Sequence, residues 1–268
     1  MAARKRVLPP DHPDTLNSMM NVAGDYIDLG RYADALMLFE ETLAASKRVL
    51  PLDHPITLTG AHNLANVYFH LGRYDEALRL NEATLAARKR ALTPDHPNTL
   101  TTITNLAGCY KMCKRDAEAL ELEEGALAAY KRMLPTDHPL TLVGAHNLAN
   151  GYLTLNRHQV ALKHFQEALA GRVRTLSAGH QDTIDSMCGV ALSLDRLGRG
   201  SEAVPFIDGC VMGAVNSKIV VELILQRLRH FQSLSDPAGC RATAAMWEKL
   251  DRRDANSGSG PFDGTLVA

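Results

Sequence analysis

The chain has 268 residues, of which 46% are hydrophobic, so it can bury a large core. Its formal net charge of -1 and its pI near 6.8 exclude the strongly basic surface of a general nucleic-acid binder or of a protein held on anionic membranes. The five cysteines are odd in number and lie within predicted helices, which favours a reducing compartment over a disulfide framework. We therefore expect a cytoplasmic protein that binds no nucleic acid and no membrane.

The first predicted element, residues 1–13, is the end of a helix. Residues 2–13 (AARKRVLPPDHP) match residues 86–97 (AARKRALTPDHP) at ten of twelve positions, and the later segment closes a long helix. We expect residues 1–13 to be the remnant of a preceding repeat, so that the chain is a fragment of a longer array. The segment lacks the apolar centre of a signal peptide, and no apolar run in the chain approaches the roughly 20 residues that span a bilayer.

Residues 14–210 repeat with a period of 42 residues, which predicts five similar units. A histidine marks the start of each unit, and threonine, alanine and arginine recur at fixed distances after it. Repeats one and three resemble each other most, as do repeats two and four, so the array looks like a duplicated pair of 84 residues. The marker histidines are His12, His54, His96, His138 and His180.

Each unit is predicted to contain two helices, as repeat two shows. Its first helix, helix A, carries an apolar residue at every third or fourth position, after Pro55 in the first turn and before Gly72 at the end. Helix B follows over about 18 residues, or about 27 Å. Neither helix can bury its apolar face alone, so neighbouring pairs must pack together. The apolar positions of helix A are Leu58, Ala61, Leu64, Ala65, Tyr68 and Leu71.

After residue 210 the 42-residue period ends. We expect residues 211–251 to form a degenerate capping helix pair that contains Trp247, because the last unit of an array has one face in water. Residues 252–268 lack periodicity and are rich in Gly and Ser, which predicts a disordered tail.

The segments HNLANVYFHLGRYDEAL (62–78), TNLAGCYKMCKRDAEAL (104–120) and HNLANGYLTLNRHQVAL (146–162) resemble tetratricopeptide repeats. The 42-residue period with its Asp-His-Pro linker is similar to the longer variety found in kinesin light chains and in some signalling proteins. The resemblance implies an all-α fold, a right-handed α-solenoid of antiparallel helix pairs. It also implies a protein-interaction scaffold of the kinesin light chain adaptor kind, with helix A lining a concave groove. Lys114 and Asp116 depart from the pattern in repeat three.

The candidate ligand surface is the polar face of helix A, opposite the apolar stripe. Asparagine suits such a surface because its amide offers donors and an acceptor to a peptide backbone. The alternative is that Asn21, Asn63, Asn105 and Asn147 only hydrogen-bond a neighbouring helix. The candidate peptide-binding residues are Asn21, His62, Asn63, Asn66, His70, Asn105, Lys111, His146, Asn147 and Asn150.

The charge of this face favours an internal peptide segment or helix over a C-terminal carboxylate. Repeats of this family that clamp a carboxylate combine asparagines with several cations, whereas only Lys111 is well placed here. Basic clusters also end each helix B, as in Arg88-Lys89-Arg90. The helix dipole favours positive charge at that end, although a ridge of such clusters would suit an acidic partner.

Catalytic and metal chemistry find no support in the sequence. It contains no Gly-rich phosphate loop, no Gly-x-Ser-x-Gly and no His-Glu-x-x-His, so we expect no enzyme, no cofactor and no small-molecule substrate. The marker histidines are one helix pair apart, too far to share a metal ion, and are expected to cap helices. Cys109 and Cys113 lack two further ligands. The alternative function is a sensor or oligomerisation segment of a larger ATP-driven signalling protein.

Overall fold

The computed structural model describes residues 8–213 and, beyond them, residues 229, 233, 236 and 239–244. These residues are helical or lie in short turns, and no strand occurs among them. Within residues 8–213 the helices are α1 (Pro13–Asp28), α2 (Tyr32–Val49), α3 (Pro55–His70), α4 (Tyr74–Ala91), α5 (Pro97–Met112), α6 (Asp116–Met133), α7 (Pro139–Thr154), α8 (His158–Thr175), α9 (Gln181–Arg196) and α10 (Gly200–Gly213).

The helices alternate as the period predicts. Every helix A (α1, α3, α5, α7, α9) has 16 residues, and helix B has 18 in repeats one to four. The recurring alanines of both helices, such as Ala23 and Ala35, are at most 1% exposed, so that neighbouring helices approach closely there. The all-helical solenoid of helix pairs is therefore confirmed. Residues 1–7, most of the predicted capping pair and the predicted tail lie outside the described residues.

Each helix A begins at a histidine. The side chain of His54 accepts a hydrogen bond through Nδ1 from the backbone N–H of Ile56 at 3.2 Å, and Pro55 occupies the first helical position. The other four marker histidines make the same bond at 3.1–3.2 Å. The histidine satisfies one of the backbone donors that a helix start leaves unpaired. The predicted capping role of these histidines is thus confirmed.

Each helix A ends at a residue in the left-handed conformation. Glycine holds this position with a φ of +69° at Gly30, +74° at Gly72 and +71° at Gly198. Lys114 and Asn156 hold it in repeats three and four, with φ of +61° and +58°. The departure at Lys114 therefore leaves the helix-end geometry unchanged, although a side chain in this conformation is strained.

Described helices form two compact units, which meet in the chain at Met133 and Leu134. In unit 1, α2 packs against both α1 and α3, α4 packs against both α3 and α5, and α6 packs on α5; successive A helices also touch. In unit 2, α8 packs against both α7 and α9, and α10 packs on α9. The core between repeats one and two contains Met20, Phe39, Leu43, Leu64 and Val67.

Two buried arginines join neighbouring repeats. Arg88 on α4 is 3% exposed, and its Nη1 donates to the backbone oxygen of Asn98 and to Thr102 Oγ1 on α5, each at 2.5 Å. Arg172 on α8, 84 residues later, donates to the backbone oxygen of Asp182 at 2.7 Å and to Ser186 Oγ at 2.6 Å on α9. Burial lowers the pKa of both guanidinium groups.

Arg88 and Arg172 take no part in a basic surface ridge, the alternative interpretation of the clusters that end helix B, because both side chains are buried among the packed helices. The exposed arginines that take the position of Arg90 in repeats three and four bind the aspartate of the linker in their own repeat. Arg132 donates to Asp95 at 2.8 Å, and Arg174 pairs with Asp137.

Candidate functional site

A pocket of about 290 Å³ opens in unit 1 where α3, α4 and α5 meet. Two successive A helices contribute most of its lining, namely Asn66, Phe69, His70, Thr104, Asn105 and Gly108. Asn81 of α4 and Cys109 of α5 complete the lining, and both are 1% exposed. We call this cavity the asparagine pocket. Three of the predicted ligand-binding residues line it: Asn66, His70 and Asn105.

A hydrogen-bond network crosses from α3 to α5 at this pocket. Asn105 Nδ2 donates to Asn66 Oδ1 at 2.6 Å and lies 3.4 Å from His62 Nε2. His62, expected on the open face of helix A, is instead buried. Burial, with a smaller contribution from the charge of Arg88, lowers the pKa of His62 to about 4. The network is therefore uncharged at neutral pH.

Asn81 is a pocket residue that the sequence did not point to. Its Nδ2 lies 3.6 Å from Cys109 Sγ, and its Oδ1 is buried with no hydrogen-bond partner in the described part of the chain. The same position of helix B holds Phe39 in repeat one and Phe165 in repeat four, both fully buried. Aligning the helix B segments by the 42-residue period would have exposed this exchange of a phenyl ring for an amide.

Aromatic side chains lie next to the pocket. The ring of His70 stacks on Tyr32, with centroids 4.8 Å apart and planes at 15°. Phe69 meets Tyr74 edge to face at 5.4 Å. The pocket lining thus combines side-chain amides with aromatic groups, a mixture that suits recognition of peptide side chains.

Lys111, the cation predicted for the ligand surface, is bound to an acid. Its Nζ forms an ion pair with Glu123 Oε1 of α6, and the Glu123 side chain is only 6% exposed. Burial raises the pKa of Glu123, and the positive charge of Lys111 opposes that rise. The lysine therefore neutralises a carboxylate of its own chain.

The remaining predicted residues lie elsewhere. Asn21 is exposed on α1, and Asn63 is half-buried on α3; neither lines the asparagine pocket. His146, Asn147 and Asn150 lie on α7 in unit 2, where all three are half-buried. His146 packs edge to face on Phe165 at 5.2 Å, and its Nδ1 lies 3.4 Å from Arg172 Nη1.

The described residues contain neither a cluster of metal ligands nor a helix able to span a membrane. Among those that the structure describes, no group of three His, Cys, Asp or Glu side chains is placed to hold a metal ion. No helix in that part of the chain is both long and apolar enough to cross a bilayer. The cysteines Cys109, Cys113, Cys188, Cys210 and Cys240 form no disulfide with one another.

Comparison with known families identifies the class of protein. Residues 56–132 and 140–207 match one tetratricopeptide repeat model, and residues 15–56 match a second. These matches cover more than half of the chain, which therefore belongs to the tetratricopeptide repeat family. Proteins built from these repeats are generally scaffolds for protein-protein interaction. No curated protein sequence matches the chain significantly.

Solved structures similar to this chain indicate which type of tetratricopeptide repeat it contains. A Podosopora anserina kinesin light chain with nearly identical TPR-like repeats is 29% identical over 74% of this chain and 94% of that chain, with a TM-score of 0.67. BtubC from P. vanneervenii is 16% identical over 96% of this chain and 86% of that chain, with a TM-score of 0.64, which shows a shared fold. The protein is a tetratricopeptide repeat protein of the kinesin light chain type.

Proposed function

We propose that this chain is a non-catalytic adaptor of the kinesin light chain kind that holds a segment of another protein on unit 1. The observation that carries the proposal is the asparagine pocket, where side-chain amides from two successive A helices face one opening. An amide both donates and accepts hydrogen bonds, so such a surface pairs with the backbone of a peptide irrespective of its sequence. The aromatic neighbours add contact area for side chains.

The charge of the surface supports an internal segment as the ligand. Asp, Glu, Lys and Arg are missing from the pocket lining in the described residues, and Lys111 is engaged by Glu123. A terminal carboxylate placed here would lose its hydration without gaining a cation. A neutral stretch within a partner chain loses less, so the proposed ligand is an internal peptide segment or a helix.

The cytoplasm is the proposed location. Cys109, Cys188 and Cys210 are buried thiols without a disulfide, and burial raises the pKa of Cys109, so that this thiol stays protonated and inert. Buried free thiols fit a reducing compartment. The proposed partner is a protein or peptide, and we propose no nucleic acid, membrane or small-molecule substrate.

Selection from a random peptide library on the purified chain tests the function. We expect peptides that bind with a Kd below about 100 µM and that lose at least tenfold in affinity on Asn66→Ala/Asn105→Ala. Glu121→Ala, an exposed change on α6, is the control and should bind like wild type. Equal affinity of the selected peptides for the double variant, confirmed as folded by thermal melting, would reject unit 1 as the binding surface.

A further inference from the structure

The asparagine pocket contains polar groups whose hydrogen bonds the protein does not complete. Asn81 Oδ1 is buried without a partner, in a side chain that is 1% exposed. Asn105 Nδ2 donates to Asn66 Oδ1, and both side chains are half-buried, so the Asn105 oxygen and the Asn66 N–H group, which have no protein partner among the described residues, remain open to water or to a ligand. A buried acceptor without a donor costs free energy, so native proteins seldom keep one unless something else pairs with it.

The pocket exists because two positions differ from their counterparts 84 residues later. Asn81 and Asn105 correspond to Phe165 and Gly189 at the junction of repeats four and five. There the phenyl ring takes up the space over the glycine, since a Cβ at position 189 would lie 2.4 Å from the ring. Gly108 adds further room in repeat three, because its Cβ position is 3.8 Å from the nearest atom of Phe69. The junction of repeats four and five is thus filled by a hydrophobic ring, whereas the junction of repeats two and three is open and lined by polar side chains.

The unmet groups define the ligand chemistry. Asn81 Oδ1 is buried and lacks a donor, while the half-buried Asn105 Oδ1 is open to a ligand donor and the half-buried Asn66 N–H group to a ligand acceptor. A primary carboxamide supplies two N–H donors and one carbonyl oxygen. A carboxylate has no donor, an ammonium group has no acceptor, and either would bring a charge into a pocket that has no opposite charge in its described lining. The volume of about 290 Å³ is large enough to admit such a side chain and lies at the small end of the range for ligand pockets.

We propose that the asparagine pocket is a specificity site for a primary carboxamide, the side chain of a glutamine or asparagine in the bound segment. Asn81 and Asn105 accept its two N–H bonds, and Asn66 donates to its carbonyl oxygen. The site rests on the proposed peptide-binding function and adds to it a preference for one side-chain chemistry at this point of the ligand.

Small probes test the pocket without knowledge of the natural partner. Butyramide is compared with butyrate, which replaces the amide by a charge, and with 2-pentanone, which keeps the carbonyl and loses both donors. Binding to the full chain is followed by NMR through the side-chain amides of Asn66, Asn81 and Asn105. We expect butyramide to bind at least tenfold more tightly than either analogue and to shift these three signals.

Variants locate the binding. Asn81→Leu keeps the branched shape of the side chain and removes the acceptor, and Asn81→Phe fills the pocket as Phe165 does; both should weaken the binding of butyramide at least fivefold. Asn21→Leu, at the exposed position of α1 that is equivalent to Asn105, should leave the affinity for butyramide unchanged. If Asn81→Leu does not fold, the half-buried Asn66→Leu replaces it. Equal binding of 2-pentanone, equal binding to the folded variant, or no binding of butyramide overturns the proposal.

Peptides separate this inference from the proposed function. In a selected peptide, Gln→Glu or Gln→Leu at the residue that enters the pocket should lower the affinity for the wild-type protein at least tenfold. The same changes should lower the affinity for the Asn81→Leu variant less than twofold. If peptides bind through Asn66 and Asn105 but tolerate those changes, the carboxamide site is rejected and the adaptor function stands. If butyramide binds as expected and no peptide binds, the adaptor function is rejected instead.

Discussion

Arg88 and Arg90 lie two residues apart in one basic cluster and have different environments. Arg88 is buried and binds Asn98 and Thr102 on the next helix A, whereas Arg90 is exposed. Removing a buried, hydrogen-bonded charge leaves its acceptors without donors, and the loss is large even where the net gain from the bond was small. Stability at this junction therefore depends on one of the two arginines.

We expect Arg88→Leu to lower the free energy of unfolding by roughly 3 kcal/mol and Arg90→Leu to change it by less than about 0.5 kcal/mol. Urea unfolding followed by circular dichroism measures both variants under the same conditions. Arg88→Lys should also be destabilising, because an ammonium group cannot reproduce the planar geometry of the guanidinium. Similar stabilities for the two leucine variants would show that the buried contacts contribute little.

His62 makes stability depend on pH. Its pKa is about 4 in the folded chain and about 6.5 when unfolded, because burial and Arg88 disfavour the charged ring. Between pH 4 and pH 6.5 the ring is protonated in the unfolded chain and neutral in the folded chain. The stability that the neutral ring provides is therefore fully present above pH 6.5 and is lost as the pH falls toward 4. By pH 5 the loss amounts to roughly 2 kcal/mol.

The test compares unfolding at pH 7 and pH 5. His62→Gln should lose less stability on acidification than wild type by roughly 2 kcal/mol, because the residue no longer titrates. Asn63→Gln, at a half-buried position of the same helix that carries no titrating group, is the control and should follow the wild-type profile. An unchanged acid response in His62→Gln would contradict the assigned pKa.

Some of these residue roles follow from the sequence and others do not. The capping histidines could be predicted because a cap is decided by residues within a few positions along the chain. The burial of Arg88 and of His62 depends on which face α5 presents to α3 and α4, which local periodicity does not define. Asn81 was missed for the same reason, since a polar residue in helix B looks exposed until it is aligned with Phe39 and Phe165.

At the scale of the helix, the same backbone geometry at the end of helix A is adopted by different residue types. Glycine, lysine and asparagine all end helix A with a positive φ. The helix end is set by the turn between two packed helices, and the residue adapts to it. The sequence pattern therefore predicts helix lengths and positions well, whereas the departure at Lys114 signals strain instead of a changed turn.

Replacing Lys114 by glycine should relieve that strain. At a φ of +61° a side chain costs free energy that glycine does not, so Lys114→Gly should stabilise the chain by about 0.5–1 kcal/mol. Gly72→Ala, at the same position of repeat two, should destabilise it by a similar amount. Lys89→Gly, at an exposed position of α4, is the control and should destabilise the chain by about 1 kcal/mol. Thermal melting of the three variants checks the signs.

At the scale of the whole molecule, each repeat is stabilised by its neighbours, so damage at one junction should stay local. A Cβ at Gly189 would meet Phe165 between repeats four and five, whereas a Cβ at Gly125, an exposed position of α6, would meet nothing within 4 Å. The same chemical change in two helices is therefore expected to act in opposite directions.

We expect Gly189→Ala to destabilise by about 1–3 kcal/mol through overpacking and Gly125→Ala to stabilise by up to about 1 kcal/mol through helix propensity. Hydrogen exchange measures where the change acts. Gly189→Ala should speed exchange in α8 and α9 and leave α1 to α4 as in wild type. Uniformly faster exchange along all helices would mean that the array unfolds as a single cooperative unit.

The arginines at 88 and 172 occur in every second repeat, and this alternation constrains how the gene can grow or shrink. Repeats one and three carry Ser46 and Tyr130 where repeats two and four carry arginine. Odd and even repeats therefore differ in the surface that packs against the next repeat. Unequal recombination that inserts or removes 84 residues rejoins compatible surfaces, whereas a step of 42 residues sets an arginine against a helix A with Gly60 or Gly144 in place of the hydroxyl acceptor Thr102 or Ser186. Artificial arrays assembled from this chain should accordingly be extended in even numbers of repeats.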